Sequence, residues 1–161
     1  MTRDQFITAV RSEQEGLRRF LLALCGGDAS RADDIAQDAL VKAYVASERY
    51  VPRVKFSSWI HTIAYNCFID SIRKRSLPTV DAGSAQALDA ASDTVADAAF
   101  RYQELYAAIE TLSPKERAAI LLFYMEDRPV KEIADILGVP QGTVKSHLSR
   151  GREHLRKIIG R

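Results

Sequence analysis

Between Val130 and Ile159 the apolar positions recur at helical spacing in two runs separated by a short break. Ile133 and Leu137 lie one turn apart, Gly138 supplies a residue tolerant of positive φ, and Pro140 enforces the stop. Val144, Leu148, Leu155 and Ile158 or Ile159 then fall on one face of a longer helix. Ala134 is small where the second helix must cross the first, and Val139 can fill the gap between them. The spacing predicts a helix-turn-helix, two amphipathic helices joined by a short turn.

Upstream, the same periodicity predicts further helices and no strands. A first helix from about Thr2 to Leu24 carries Phe6, Val10, Leu17, Phe20, Leu21 and Leu24 on one stripe and ends at Gly26 and Gly27. Ser30 and Asp33 have capping-box spacing for a second helix, whose buried face is read as Ile35, Ala36, Ala39, Leu40, Ala43 and Tyr44. Pro52 interrupts the stretch Tyr50 to Ser57, so this is a loop, with Ser57 capping a helix from Ser58 to Arg75. Most of that helix's circumference is apolar, leaving a strip of Ser58, Thr62, Tyr65, Asn66, Ile69 and Arg73. Helix formation resumes near Ala98. Ser113-Pro114-Lys115-Glu116 then combines a Ser cap, Pro at the first helical position and Glu at the third, opening a helix to about Met125. Asp127-Arg128-Pro129 breaks it before the helix-turn-helix.

Residues 77 to 97 shift to Ala, Ser and Asp with little large apolar content, the composition of a linker. Its 21 residues reach ~70 Å when extended and average about 25 Å as a flexible coil. The expected fold is all-α: two small helical bundles, 1–76 and 98–161, joined by that linker, the second bundle containing the helix-turn-helix.

Charge adds an asymmetry. The 161 residues carry a formal +2, but the linker holds Asp81, Asp89, Asp93 and Asp97 with no Lys or Arg, so the remaining segments carry +6. From Gln141 onward, Lys145, Arg150, Arg152, Arg156, Lys157 and Arg161 face one acid, Glu153, a balance suited to phosphate. Composition is that of a folded soluble protein, with 47% hydrophobic and 27% charged residues. No apolar stretch approaches the ~20 residues of a membrane span, and MTRDQF lacks the apolar core of a signal peptide, so a cytoplasmic location is expected. Cys25 and Cys67 sit in apolar helical patterns outside any ligand spacing and read as core thiols, with no metal or cofactor expected.

Three surfaces are candidates for binding. On the last helix, Gln141, Thr143, Lys145, Ser146, His147, Ser149, Arg150, Arg152 and Arg156 point away from the apolar stripe. In the first bundle, the loop joins Arg53 and Lys55 to Tyr50 and Phe56, a combination able to hold single-stranded nucleic acid, although Phe56 also reads as a core anchor. Asp34, Gln37, Asp38, Val41, Lys42 and Val45 form a mixed acidic face whose exposed valines are either ordinary surface residues or a protein-docking patch.

These stretches, in order, resemble the sigma factors of bacterial RNA polymerase of the extracytoplasmic-function (ECF) type, in the sigma-70 family. DDIAQDALVKAY (33–44) resembles the family's core-polymerase-binding helix, FSSWIHTIAYNCFIDSIRKR (56–75) its −10 recognition helix, and LSPKERAAILLFYMEDRPVKEIADILGVPQGTVKSHLSRGREHLR (112–156) its −35 reader. The resemblance implies a transcription initiation factor without catalysis of its own. It implies that the Asp34/Gln37/Asp38/Val41 face, with Lys42 and Val45, docks on the clamp helices of the polymerase β′ subunit, with the flap of β as a second contact. It implies that Tyr50, Arg53, Lys55, Phe56 and Ser57, with Thr62, Tyr65, Asn66 and Arg73, hold the melted −10 strand. It implies too that these outward side chains of the last helix, Gln141 to Arg156, meet the −35 element, that the acidic linker runs through the polymerase, and that an anti-sigma factor is a further partner. Two positions depart from the family's pattern: His147 stands where Arg is common, and Gly151 where Ala is usual, at about 1 kcal/mol of helix propensity.

Other classes fit less of the chain. A sigma-like mimic that sequesters an anti-sigma factor without binding DNA would not need the basic outward residues of the last helix. A conventional repressor or activator leaves the first 76 residues unexplained. An enzyme is not expected, since His61, His147 and His154 are dispersed and no nucleophile-base pattern, phosphate loop or metal spacing is present.

Overall fold

The computed structural model describes residues 1–75 and 96–159, with side chains from 103 onward in the second stretch. The expected linker therefore lies outside the described residues except for its last two. Helices α1 (Arg3–Leu24), α2 (Ala29–Ala46) and α3 (Phe56–Arg75) form the first bundle. The second comprises α4 (Ala96–Glu110), α5 (Pro114–Ile120), α6 (Val130–Leu137) and α7 (Gln141–Ile159). No strand occurs among the described residues.

Local chemistry accounts for most boundaries. Thr2 caps α1 in a reciprocal box with Gln5. Gly26 and Gly27, at φ 66° and 90°, turn the chain so sharply that Asp28 itself caps α2, its carboxylate accepting from Arg31 N at 3.1 Å. The cap is thus Asp28 rather than the expected Ser30, because the double-glycine turn leaves no room for two further residues. Helix α3 likewise starts earlier than expected: the Lys55 carbonyl accepts from Trp59 N at 3.0 Å, so Ser57 lies inside the helix. Ser113 caps α5 as its sequence requires, accepting from Glu116 N at 3.2 Å.

The helix expected to run unbroken to Met125 instead changes at Leu121 into one π-helical turn, Leu121–Met125, closed by Glu126 N donating to Leu121 O at 3.2 Å. Asp127 follows with φ 57°, and Pro129 leads into α6. Gly138, at φ 70°, ends α6 as expected, with Gly138 N and Val139 N both donating to Ala134 O.

Phe20, Leu21, Leu24, Ile60 and Phe68 fill the first bundle, and Leu112, Leu122, Ile133, Ile136 and Val144 the second. Both free cysteines are buried in these apolar surroundings, and burial raises the Cys25 thiol to about 11. The two bundles pack together, α3 against α6 and α1 against α4 and the π turn. Arg117 stitches this contact: its guanidinium donates to the carbonyls of Leu24 (2.7 Å), Leu112 (3.0 Å) and Glu110 (3.2 Å) and lies over the Phe68 ring. It thereby satisfies C-terminal carbonyls of α1 and α4 that have no partner within their own helices.

Gly151 is buried where α7 crosses α5. A Cβ there would sit 2.8 Å from Ile120 Cγ1. The residue that looks like a propensity defect is what lets the two helices approach. Gly151→Ala is expected to lower stability by roughly 1 kcal/mol, the gain in helix propensity being outweighed by overpacking against Ile120. A urea denaturation midpoint above that of the unaltered chain would show instead that Ile120 gives way.

Candidate nucleic-acid and polymerase interfaces

The buried stripe of α7, Val144, Leu148 and Gly151, seats the helix on α5 and α6 and leaves Gln141, Lys145, Ser146, Ser149, Arg150, Arg152 and Arg156 exposed, with Thr143 half-buried. Glu116, at the start of α5, is nearly buried and organises one flank. Its carboxylate lies 3.5 Å from Arg150 Nε and 3.2 Å from His154 Nδ1. Arg150 Nη2 is in turn 3.3 Å from His147 Nδ1. His147 is half-buried beside Pro114, Lys115 and the end of α3, so it lies sideways rather than outward. Burial, then the neighbouring Arg150 charge, hold its pKa below the usual imidazole value. On the other flank Arg152 donates to the Tyr124 hydroxyl at 3.2 Å.

In the first bundle, the loop before α3 folds over an aromatic cluster. The Tyr50 ring packs 5.1 Å from Trp59 and 5.8 Å from Phe56, and its hydroxyl donates to the Val54 carbonyl. Phe56 also meets Phe6 and Trp59, so it is an anchor as well as a loop residue. Arg53, Lys55, Asn66 and Arg73 are exposed. Lys55 Nζ pairs with Glu132 of α6 at 2.6 Å, Ser57 Oγ accepts from Arg128, and Thr62 Oγ1 donates back to the Ser58 carbonyl.

Two expectations for α3 need correction. Ser58 is buried, and Tyr65, expected on the outward strip, is only 3% exposed. Burial pushes its phenol up to about 12, and its hydroxyl has no hydrogen-bond partner among the described residues. In this arrangement Tyr65 cannot stack on a base. The error follows from the nearly all-apolar circumference of α3, which leaves its rotation undetermined by pattern alone.

The acidic face of α2 is exposed throughout: Asp34, Gln37, Asp38 and Lys42 surround Val41 and Val45, which are 63% and 74% exposed. Tyr44, expected inside, is 50% exposed, its ring meeting that of Phe6 edge to face with centroids 5.3 Å apart. It widens the apolar patch at the end of the helix.

Sequence reasoning missed two features formed where the bundles meet. One is a polar cluster of Ser57, His61, Glu126 and Arg128. Its only sequence signal is a charged residue beside a helix-breaking proline. The other is an apolar groove of about 750 Å³ lined by Leu22, Ile109, Leu121 and Leu155 and flanked by Arg19, Arg152 and Arg156.

Two family models match the chain: Sigma-70 region 2 over residues 9–77 and Sigma-70 region 4 over residues 102–155. The ECF RNA polymerase sigma factor SigW of Bacillus subtilis (strain 168) is 36% identical over 145 residues, 83% of this chain and 78% of that protein. The chain belongs to the ECF sigma factors. EcfG of Rhodopseudomonas palustris (strain TIE-1), another ECF RNA polymerase sigma factor, is 31% identical over 157 residues, 98% of this chain and 84% of that protein. Among solved structures, the sigma factor RpoE of Bartonella quintana, in complex with the anti-sigma factor NepR, superposes with a TM-score of 0.76 at 25% identity, over 97% of both chains. CnrH, in complex with the cytosolic domain of CnrY, shares the fold with a TM-score of 0.76 at 20% identity, over 99% of this chain and 90% of that one.

Membership gives this ECF sigma factor a role in transcription initiation, within a family of non-enzymatic transcription factors. No helix among the described residues is long and apolar enough to cross a membrane.

Tyr65→Phe removes a stranded buried hydroxyl and is expected to raise stability by about 1 kcal/mol, read as a higher melting temperature. A lower melting temperature would mean that the hydroxyl is satisfied in solution.

Proposed function

We propose that this sigma factor docks on core RNA polymerase and directs it to promoters read at two points. Residues 98–161 serve as the −35 module, with Gln141, Thr143, Lys145, Ser146, Ser149 and Arg150 toward the major groove and Arg152 and Arg156 closer to phosphates. Residues 1–76 hold the melted −10 strand through the loop at Arg53 and Lys55 and the exposed Asn66 and Arg73 of α3, while residues 77–97 tether the two. His147, lying sideways, acts on the −35 contact through Arg150 rather than by its own phosphate contact. The observation that carries the reading is α7 itself, a helix held by one buried apolar stripe that exposes an arc of polar and basic side chains in which Glu153 is the one acid.

The exposed face of α2, with Val41, Tyr44 and Val45 among carboxylates, is the surface for the clamp helices of β′; the flap of β is the expected partner of the second bundle. An anti-sigma factor is the expected regulator, as RpoE of Bartonella quintana has in NepR. The groove between the bundles, apolar within and flanked by Arg19, Arg152 and Arg156, suits an amphipathic helix with acidic edges. Since the polymerase is its partner, the protein works in the cytoplasm.

Run-off transcription with purified core polymerase is expected to depend on added protein and on intact −35 and −10 elements. Arg150→Ala should weaken the promoter complex by roughly 1–3 kcal/mol and relax preference at one −35 position. Absence of protein-dependent transcription from every promoter in a genomic set would overturn the reading.

A further inference from the structure

Glu116 sits beside the polar and basic arc of α7, where a carboxylate repels phosphate. Its backbone is fixed. Glu116 N donates to the Ser113 cap at 3.2 Å, and its carbonyl oxygen lies 3.7 Å from the point a Gly151 Cβ would occupy, so α7 passes directly across it. The side chain is only 9% exposed and divides its two oxygens: Oε2 is 3.5 Å from Arg150 Nε, and Oε1 accepts from His154 Nδ1 at 3.2 Å. Arg150 and His154 lie one turn apart on α7, so the carboxylate between them braces both. A charge this buried is little screened by salt and is costly to leave without partners. All of these residues belong to the second bundle, and the tie does not depend on how the two bundles pack.

Arg150 is held at a second point, its Nη2 lying 3.3 Å from His147 Nδ1. A guanidinium has no acceptor, so it donates, Nδ1 accepts, and the His147 proton sits on Nε2. Burial and the Arg150 charge both favour that neutral ring. With Nε turned to Glu116 and one Nη2 hydrogen given to His147, donors remain on both terminal nitrogens, and the side chain is 55% exposed. A guanidinium held in this way favours guanine, the base that shows two acceptors, O6 and N7, in the major groove. An untethered arginine on the same backbone samples many rotamers and meets phosphates and base acceptors alike. The carboxylate thus gives up general attraction to DNA and gains discrimination.

We propose that Glu116 is a positioning residue for −35 recognition: it holds Arg150 in one orientation and so sets the base preference, for guanine, at the position that Arg150 reads. The role rests on the −35 reading above, and Glu116 itself touches no DNA. Immobilising a rotamer-rich side chain on binding costs free energy, and an arginine already held in the unbound protein loses less when it meets its base.

The test uses the full chain with core polymerase, selecting bound DNA from a promoter pool randomised at the −35 element. Glu116→Met keeps the side chain's length and removes both acceptors; if it does not fold, Glu116→Ala decides. Preference for guanine at one −35 position should fall about fivefold or more, the lower end of what one bidentate contact contributes. Affinity for unrelated duplex should rise, because a repelling charge has gone. Arg150→Ala should lose the same preference, and on that background Glu116→Met should change it no further. In arginine side-chain NMR spectra of the unbound protein, the Arg150 Nε–H should exchange with water faster in Glu116→Met than in the unaltered chain. Equal exchange overturns the tie without any DNA in the sample. An intact preference with affinity raised for every sequence makes Glu116 a repelling charge only, and a loss that persists in the double variant marks a general disturbance of α7; either result overturns the role. Preference for a base other than guanine at that position contradicts the held orientation. If Arg150→Ala leaves the −35 preference unchanged, the role and the −35 reading of Arg150 fall together; if Arg150→Ala loses it and Glu116→Met keeps it, the role falls alone.

Discussion

The close approach of α7 to α5 at Gly151 governs how the second bundle presents its outer face. With no side chain at that position, Ile120 fills the crossing, Val144 and Leu148 settle between α5 and α6, and the opposite arc of α7 is left to its polar and basic residues. The same crossing brings Glu116 within reach of Arg150 and His154. A nearly buried carboxylate thus steadies an exposed arginine of α7, and under the proposed −35 reading such preorganisation lowers the entropic cost of placing a long side chain in a groove. Backbone geometry, packing and electrostatics converge on one surface.

The relation between the bundles obeys a different economy. Arg117 joins them through backbone carbonyls at helix ends, and Arg128 joins them through side chains that could each be solvated separately. These polar contacts sit beside apolar ones, since buried side chains of both bundles belong to one continuous core cluster.

Much of the fold is legible because its determinants are local. Gly138 and Pro140 mark the turn of the helix-turn-helix, Ser113-Pro114 opens α5, and Gly26-Gly27 stops α1, each through backbone preferences that act within a few residues. Where the outcome depends on a distant surface, the pattern is silent. The rotation of α3 could not be read from a helix apolar on most sides, so Tyr65 was assigned outward and lies inside. Tyr44 shows the opposite outcome, expected inside and half exposed beside Phe6. The Asp28 cap was obscured by a nearby Ser30 that satisfies the same local rule. Glu126, Arg128 and His61 gave no signal beyond a charge beside Pro129, because His61 belongs to the other bundle. The residues of α7 fared best: one stripe inward and one arc outward is a pattern that a single helix can specify by itself.

A two-point reader held by a polymerase has a fixed reach, and duplex DNA turns once in 10–10.5 base pairs. The most direct measurement is therefore run-off transcription from one promoter whose spacer between the −35 and −10 elements is lengthened by five base pairs, which moves one element to the opposite face of the helix. Transcription is expected to fall at least tenfold, with activity confined to spacers near the native length. Undiminished transcription from the lengthened promoter would contradict the two-point account.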